Sequence, residues 1–519
     1  MSNYSNKLRS ILGNTKPKEA RQFLLENGYF SQNGILPGII KPEGLSTISL
    51  TTIDWLKKPK IPRTKAIKLL GQKPNKGMRE YSLLHPYAYI RIVNELTHKD
   101  FWPELRSLLS SENKVSVFTV PIFGQTPPSE ESAWHHFDTI EPDRWIITHP
   151  VQATCDIQNF YNSIYTHSIA WAVMGKETAK NNKSERIVGN RLDRLFQNAN
   201  DGQTNGIPTG TYVSDIISEL VLSDIDAQLS KYIEKKGIIA LRYRDDYKFL
   251  CKSHSDARSV IDALAALLND TYGFVLGQSK SAISTPNAVN GNEANMQIAG
   301  VVFNGVTEPK SKEINGKAFY ENIVNIIDAC TYATNKRYLD NAYREILEHF
   351  RKKELVVSQL STWGEISINR IVTSIDTGRS YGTYGFALID HILTVMVRED
   401  IDIKDILDRI VNHYKETKST LFNLWLYMIL LNNAKGYASA FLRSNKMAIF
   451  KMISNPSTPD ARNFSARDPI PSIDIKELDK FSLINLKPFE DIEESKNESI
   501  IELLEDEDFG TLIRSHYDM

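Results

Sequence analysis

The chain has 519 residues, of which 41% are hydrophobic and 24% charged, and its formal net charge is −1. This composition is that of an ordinary soluble protein with about three domains. No stretch reaches about 18 consecutive apolar residues and the chain has no apolar signal segment near its start, which excludes membrane insertion and secretion and predicts a cytoplasmic protein without a membrane partner.

The near-zero net charge hides an acidic stretch. Residues 473–508 contain thirteen acids and four lysines, a balance of −9, so the remainder of the chain carries +8. A moderately basic body suits a polyanionic partner. The acidic stretch is either a solvated flexible tail or a mimic that gates the polyanion site.

The first 70 residues predict a helix, a turn and a second helix, with Leu24, Leu25, Phe30 and Leu36 as core anchors. The basic, proline-broken run 57–65 is either solvated surface or a phosphate contact, because cationic loops supply much of nucleic-acid affinity. Beyond it, the pattern predicts a helix over 86–96 and a strand over 115–123.

A short apolar strand ends at Asp156 and leads into an amphipathic run. Downstream, residues 206–215 place two glycines and a proline ahead of a helical run, which predicts a stiff loop whose backbone can approach a flat ligand. The three cysteines, Cys155, Cys251 and Cys330, lack metal-site spacing and are predicted to be buried core thiols.

Two adjacent carboxylates, Asp245 and Asp246, stand between two apolar runs that predict a hairpin of buried strands. Alone, the pair is a common turn dipeptide and leaves a solvated hairpin open. A strand-end Asp156 on the same sheet edge would make three carboxylates, enough to bind two Mg²⁺ ions about 3.5–4 Å apart.

The order of these stretches resembles the palm motifs of reverse transcriptases: an aspartate strand, a Gly-x-Pro-x-Gly-x-x-x-Ser loop, then Tyr-x-Asp-Asp. Residues 160–168 resemble in particular the bacterial reverse transcriptases of abortive-infection and other phage-defence systems. Residues 79–86 resemble their fingers segment, and residues 28–30 with 35–37 resemble their N-terminal signature. The resemblance covers about residues 20–305.

The resemblance implies an α+β fold, a right-hand polymerase with fingers and an RRM-like palm on an antiparallel sheet, followed by an all-α, helical-repeat-like domain in place of a thumb. The expected divisions are an N-terminal extension with fingers (1–145), the palm (146–305, with fingers and palm together about 60–305), a helical domain (306–455) and an acidic, partly flexible tail (456–519). Helical patterns recur through 317–452. Arg379, Tyr381, Tyr384 and Phe386 are read either as a platform for single-stranded bases or as core.

The resemblance also implies roles for individual residues. Asp156, Asp245 and Asp246 would be catalytic and, with Ile157, would hold two Mg²⁺ ions, which Mn²⁺ could replace. The residues implied to contact the dNTP are Arg79, Arg144, Tyr161, Pro208, Thr209, Gly210 and Lys280, with Tyr161 rejecting a ribose 2′-hydroxyl and Phe160 turned into the core. The residues implied at the primer and template are Gly206, Ser214, Tyr243 and Arg244. A salt bridge to a surface acid is the competing interpretation for Arg79.

The implied activity is DNA synthesis from dNTPs by two-metal nucleotidyl transfer in bacterial antiphage defence. It would be RNA-directed, on a template such as a dedicated noncoding RNA, or template-independent and protein-primed, leaving single-stranded DNA covalently attached to the protein. Tyr4 and Tyr517 are the mobile priming candidates among 22 tyrosines, with an inert tail residue as the alternative for each. The helical domain implies homo-oligomers.

Two departures from the family pattern are Thr209, where Gln is most frequent, and Arg244, where a small or apolar residue is usual. Both departures argue against ordinary templated copying of long RNA. Neither changes the three carboxylates, so catalysis is still expected. The alternative from another class is a catalytically silent nucleic-acid-binding or scaffolding module. Retained carboxylates facing a polyanion argue against it.

Overall fold

The computed structural model describes residues 3–30, 39–73, 77–110, 115, 117, 119–121, 123, 136–278, 281–286, 312–331, 337–454 and 464–484. No helix within these residues is long and apolar enough to cross a membrane. The chain has the predicted α+β architecture, with an antiparallel sheet in its central part and helices in its C-terminal part.

The first part contains two helices, a hairpin and two further helices: α1 (Asn3–Asn14), α2 (Pro17–Asn27), β1 (Ile67–Gln72), β2 (Met78–Leu83), α3 (Pro86–Leu96) and α4 (Trp102–Ser110). The predicted helix over 86–96 is confirmed. It begins at Pro86 because proline suits the first helical turn and the His85 Nδ1 accepts the Tyr87 N–H at 3.0 Å. Leu24, Leu25 and Phe30 are fully buried as predicted, whereas Leu36 lies outside the described residues.

The central part follows a short π-helix (His136–Ile140). Its elements are α5 (Glu141–Trp145), β3 (Val151–Asp156), α6 (Phe160–Ser163), α7 (His167–Met174), α8 (Lys176–Asn181), α9 (Val188–Ala199), α10 (Tyr212–Lys236), β4 (Ile239–Tyr243), β5 (Asp246–Cys251), α11 (His254–Tyr272) and β6 (Ala282–Ser284). The strands form one antiparallel sheet in the order β4-β5-β3-β6. Helix α11 packs against β3 and β5.

The register of this sheet sets the position of the acids. Asp156, the last residue of β3, lies opposite Asp246, the first residue of β5. Because the two strands are antiparallel, the end of one and the start of the other meet at the same edge of the sheet. The predicted shared edge is confirmed.

The predicted strand over 115–123 is wrong for its described positions, none of which lies in a strand. Val117 makes one backbone bond there, donating its N–H to the Arg242 carbonyl at 2.9 Å. Pro121 has no N–H to extend such pairing.

The C-terminal part begins with a short parallel pair, β7 (Lys312–Asn315) and β8 (Leu355–Ser358), which the all-helical prediction did not include. The helices are α12 (Gly316–Thr331), α13 (Arg337–Arg351), α14 (Ser361–Asp376), α15 (Thr383–Arg398), α16 (Lys404–Tyr414), α17 (Thr420–Asn433), α18 (Lys435–Ser444) and α19 (Ala448–Ile453). The helical runs predicted from the sequence are all present. Helix α17 meets the first part of the chain, where the Thr420 hydroxyl accepts the Leu70 N–H at 3.1 Å.

The proposed base-stacking platform in this region is wrong for two of its members. Tyr384 and Phe386 are fully buried, because α15 is enclosed by neighbouring helices from Thr383 to Met396. Tyr381, which precedes the helix, is half-buried. The core alternative therefore holds for Tyr384 and Phe386.

A segment of the predicted flexible tail packs onto the first part of the chain. Residues 464–484 include α20 (Ser472–Leu478), and Asp474 binds Arg91 at 2.8 Å with both side chains almost fully buried. At the surface, Asp468 binds Arg63, which lies in the basic run 57–65, also at 2.8 Å. Residues 464–484, part of the region predicted to be an acidic, partly flexible tail, are therefore packed on the first part of the chain, and Arg63 pairs with a carboxylate of the same chain.

Asp474→Ala is expected to lower the free energy of unfolding by about 3 kcal/mol, because it leaves the buried Arg91 guanidinium without its carboxylate. Denaturant unfolding measures the effect. Asp468→Ala is the matched control, since its ion pair is solvent-exposed and should leave stability nearly unchanged. Equal effects of the two substitutions would contradict the prediction.

The three cysteines are buried, and burial raises the pKa of each thiol to about 12. Since only the thiolate reacts with alkylating agents, we expect the native protein to resist iodoacetamide at pH 8 and the unfolded protein to take up three labels. Intact mass measurement counts the labels. Rapid labelling of the native protein would show that these thiols are accessible.

Candidate active site at the hairpin tip

Three carboxylates meet at the tip of the β4–β5 hairpin. Asp156, Asp245 and Asp246 each offer an oxygen, and these oxygens all lie within 4.8 Å of one another. The Ile157 N–H donates to the Asp245 carbonyl at 3.2 Å, and the Gly277 N–H donates to the Asp156 carbonyl at 2.7 Å. The backbone therefore ties the segments that carry the acids to one another and to the loop after α11.

The hairpin turns over two residues, Arg244 and Asp245. Arg244 has a φ of 54°, a left-handed conformation that residues other than glycine rarely adopt. Such a conformation persists only where surrounding contacts fix it. At this tip the Arg244 carbonyl accepts a hydrogen bond from Arg242 Nη1 at 3.0 Å.

Arg242 is fully buried and joins the hairpin to helix α10. Its guanidinium lies 3.0 Å from Glu219 and 2.8 Å from Asp226, both of which are also buried. Burial alone would lower the pKa of Arg242, but attraction to these two carboxylates raises it well above its usual range. One buried cation thus holds two helix acids and the backbone of the turn.

Asp215 makes a third link from the same helix. Its carboxylate lies 3.8 Å from the Arg244 guanidinium. Asp215, Glu219 and Asp226 recur at spacings that place them on one face of a helix, while Arg242 lies in β4 and Arg244 in the turn that follows it. The spacing of the three acids was a sequence signal for the contacts between α10 and the two hairpin arginines. The prediction from motifs did not use this signal.

The glycine–proline loop, 206–210, packs beside this tip. Gly206 (φ 84°) donates its N–H to the Ile164 carbonyl at 2.9 Å, and a side chain at Gly210 (φ 107°) would press on Phe30. Gly206, Pro208 and Gly210, three predicted nucleotide or template contacts, are buried. Thr209 is half-exposed, and its carbonyl accepts the Ser82 N–H from β2 at 2.9 Å.

Tyr161 lies between this loop and helix α10. Its hydroxyl donates to Asp215 Oδ1 at 2.7 Å, and its carbonyl accepts the Ile207 N–H at 2.9 Å. Burial, reinforced by the Asp215 charge, raises the pKa of the Tyr161 phenol well above its usual range, so the group is a neutral donor. Phe160 is buried in the core, as predicted.

Arg79, on β2, is the predicted cation that the structure brings to the acids. Desolvation would lower the pKa of Arg79, but interactions with Tyr81, Tyr381 and Asp245 raise it. The Arg79 guanidinium thus interacts electrostatically with two phenols and with a carboxylate of the triad. Arg144, by contrast, pairs with Glu141 on its own helix at 2.9 Å.

Tyr381 was not predicted at this site. It lies in the short loop between α14 and α15, where the Tyr381 N–H and the Ser380 hydroxyl both donate to Asp340, at 2.9 and 2.6 Å. Asp340 is itself buried. A C-terminal loop with a fixed shape therefore places a phenol beside Arg79.

Two predicted primer contacts are corrected. Ser214 is fully buried, and its hydroxyl accepts from the Thr211 hydroxyl at 3.0 Å in the cap of α10. Tyr243 is buried against Phe137. Lys280 and Tyr517 lie outside the described residues, and Tyr4 lies in helix α1.

The triad fits a divalent cation. Its three carboxylates lie close together, and oxygen-only donors are those that hard cations prefer. With Arg79 interacting with Asp245, the edge combines carboxylates for cations with a cation for an anionic substrate. This pairing suits chemistry on a phosphate ester.

Comparisons with known proteins agree with this chemistry. Residues 72–315 match the family model described as reverse transcriptase (RNA-dependent DNA polymerase). No curated protein matches the chain at a significant level. Among solved structures, it is similar to apo telomerase from Candida tropicalis (12% identity, TM-score 0.30, covering 81% of this chain and 72% of that one). It is also similar to telomerase from Candida albicans in complex with a TWJ fragment of telomeric RNA (10%, 0.31, 72% and 66%).

Proposed function

We propose, from the premise that residues 72–315 of this nucleotidyltransferase form a reverse transcriptase domain, that the chain polymerises dNTPs into DNA at Asp156, Asp245 and Asp246. The observation that carries the proposal is the gathering of these three carboxylates within 4.8 Å at a hairpin tip. Mg²⁺ is the proposed ion, with Mn²⁺ as a substitute.

The protein's own groups have distinct tasks in this reaction. The triad would hold two divalent cations, which would supply the charge that activates a primer hydroxyl and neutralises the leaving pyrophosphate. Arg79, beside Asp245, attracts the triphosphate. Lys280 remains a proposed proton donor to the pyrophosphate. The half-buried Tyr161 ring excludes a ribose 2′-hydroxyl by steric clash.

The biological setting is a finer proposal. The resemblance of residues 160–168 supports a bacterial antiphage enzyme of the abortive-infection type. Its template is a dedicated noncoding RNA, or synthesis is untemplated and primed by a tyrosine of the protein, and the enzyme acts as a homo-oligomer in the cytoplasm. Arg244 occupies the hairpin position nearest the primer end and favours the untemplated version.

The test uses purified full-length protein with Mg²⁺ and one labelled dNTP at a time, without added template or primer. Denaturing gels are run before and after protease, and after RNase pretreatment. Label that shifts with protease indicates DNA grown from the protein, whereas loss after RNase pretreatment indicates a co-purified RNA template. No incorporation with any nucleotide, even on primed RNA or DNA, would overturn the proposal and leave the silent binding module.

Tyr161→Ala is expected to raise the use of ribonucleotides relative to deoxynucleotides by roughly 10- to 100-fold, because it removes the ring that meets the 2′-position. Competitive incorporation of NTP and dNTP measures the ratio. Tyr165→Ala is the matched control, since Tyr165 lies four residues on and packs on His167. An unchanged ratio in Tyr161→Ala would show that the ring does not select the sugar.

A further inference from the structure

Three elements that carry different motifs of the site meet at one buried carboxylate, Asp215. Tyr161 lies on the turn after β3, Asp215 lies in the first turn of α10, and Arg244 lies at the tip of the β4–β5 hairpin. The Tyr161 hydroxyl donates to Asp215 Oδ1 at 2.7 Å, and the Arg244 guanidinium lies 3.8 Å from Asp215 Oδ2. The two oxygens of the carboxylate therefore face two different elements.

The position of Asp215 is itself fixed. It is 6% exposed, and its backbone N–H donates to the Thr211 carbonyl at 3.2 Å, within a helix start capped by the Thr211 side chain. Tyr161 is less constrained, because it lies in a helix of only four residues and is half-buried. Without the Asp215 carboxylate the Tyr161 hydroxyl keeps the Ser218 side chain as a neighbour, but it loses its charged acceptor, so the ring, packed against Phe160, could turn about its side-chain torsions.

We propose that Asp215 is a positioning residue for sugar selection: it holds the Tyr161 ring in the orientation that excludes a 2′-hydroxyl and couples that ring to Arg244 at the hairpin tip. This inference rests on the proposed polymerase function. Asp215 is not one of the three triad carboxylates, and its hydrogen bond from the Tyr161 hydroxyl gives it a route to act on the ring. Steric exclusion depends on the place of the ring, and a ring displaced by about 1 Å no longer meets the extra oxygen.

The chain offers variants that separate the hydrogen bond from the charge. Asp215→Ala removes the acceptor, whereas Asp215→Asn keeps an oxygen that can accept from the phenol and removes the charge facing Arg244. Tyr161→Phe keeps the ring and removes its hydroxyl. If Asp215 acts through that hydroxyl, the effects of Asp215→Ala and Tyr161→Phe on sugar selection are not additive.

The experiment measures competitive incorporation of an NTP and its dNTP by the full-length protein and by these variants. Asp215→Ala and Tyr161→Phe should each raise relative NTP use roughly three- to tenfold, the equivalent of one hydrogen bond. Asp215→Asn should stay closer to the unsubstituted protein. Adding Asp215→Ala to Tyr161→Phe should change the ratio no further, while dNTP incorporation persists throughout.

Several outcomes would overturn the inference. If Asp215→Ala still incorporates dNTPs and its ratio of NTP to dNTP incorporation is unchanged, the inference is wrong and the proposed polymerase function is unaffected. A further rise when Asp215→Ala is added to Tyr161→Phe shows that Asp215 acts by another route. If Asp215→Ala does not fold, Tyr161→Phe tests the inference instead. An unchanged ratio of NTP to dNTP incorporation in Tyr161→Phe would also contradict it. Absence of dNTP incorporation by the unsubstituted protein removes the proposed function together with this inference.

Discussion

Asp245→Asn is expected to reduce nucleotide incorporation by about 10³-fold or more while leaving the fold intact. The substitution keeps the shape of the side chain and removes one of three charges within 4.8 Å. Cation binding at such a site contributes several kcal/mol of transition-state stabilisation, and each 1.4 kcal/mol or so is a factor of ten in rate. Incorporation of a labelled dNTP on primed template measures the loss.

Thermal unfolding of Asp245→Asn, with and without Mg²⁺, is a second test of the same substitution. Without divalent cations, the variant should melt at the same temperature as the unsubstituted protein or higher, because one like-charge repulsion is gone. With Mg²⁺, the unsubstituted protein should be stabilised by about 2.7 kcal/mol at a hundredfold excess over Kd, and the variant far less. Asp262→Asn, at an exposed position on α11, is the control. Retained incorporation in Asp245→Asn would remove the triad from the reaction.

Arg242→Met is expected to lower the free energy of unfolding by about 5 kcal/mol, the upper end for breaking a buried ion pair, because it leaves two buried carboxylates without their cation. It also removes the donor to the Arg244 carbonyl, so the tip loses a contact that fixes its left-handed turn. We expect incorporation to fall by about 10²-fold through misplacement of Asp245.

Denaturant midpoints and incorporation assays test this prediction together. Arg409→Met is the matched control, because Arg409 pairs with Glu365 at an exposed surface and contributes little. Arg242→Lys should lie between the two, since an ammonium keeps the charge but cannot reach three acceptors in a plane. If Arg242→Met were as stable as the control, the network would not be what holds the hairpin.

The sequence was sufficient to locate the triad because the signal is local. Apolar runs flank Asp245 and Asp246 on both sides, and an apolar strand ends at Asp156, so burial and register bring the acids together. The order of motifs then identified the fold. No longer-range contact was needed for this part.

Other residues depend on contacts that a local pattern does not contain. Tyr243 and Ser214 stand beside functional positions in their motifs, but strand alternation and the helix cap turn both side chains inward. Arg79 and Tyr381 are about three hundred residues apart in sequence, and only the docking of α17 on β1 brings their regions together. Tyr384 and Phe386 belong to a helix that is apolar on all sides, which is typical of a buried helix.

The packing of residues 464–484 on the first part of the chain also constrains when the protein can fold during its synthesis. Arg91 and its partner Asp474 are 383 residues apart. At about 5–20 residues per second, the ribosome needs roughly 20 to 80 s to supply Asp474 after Arg91. Until then α3 exposes a surface that the native protein buries. The first part of the nascent chain therefore waits, incompletely folded, for a segment made 383 residues later, and chains released before that segment would lack this ion pair.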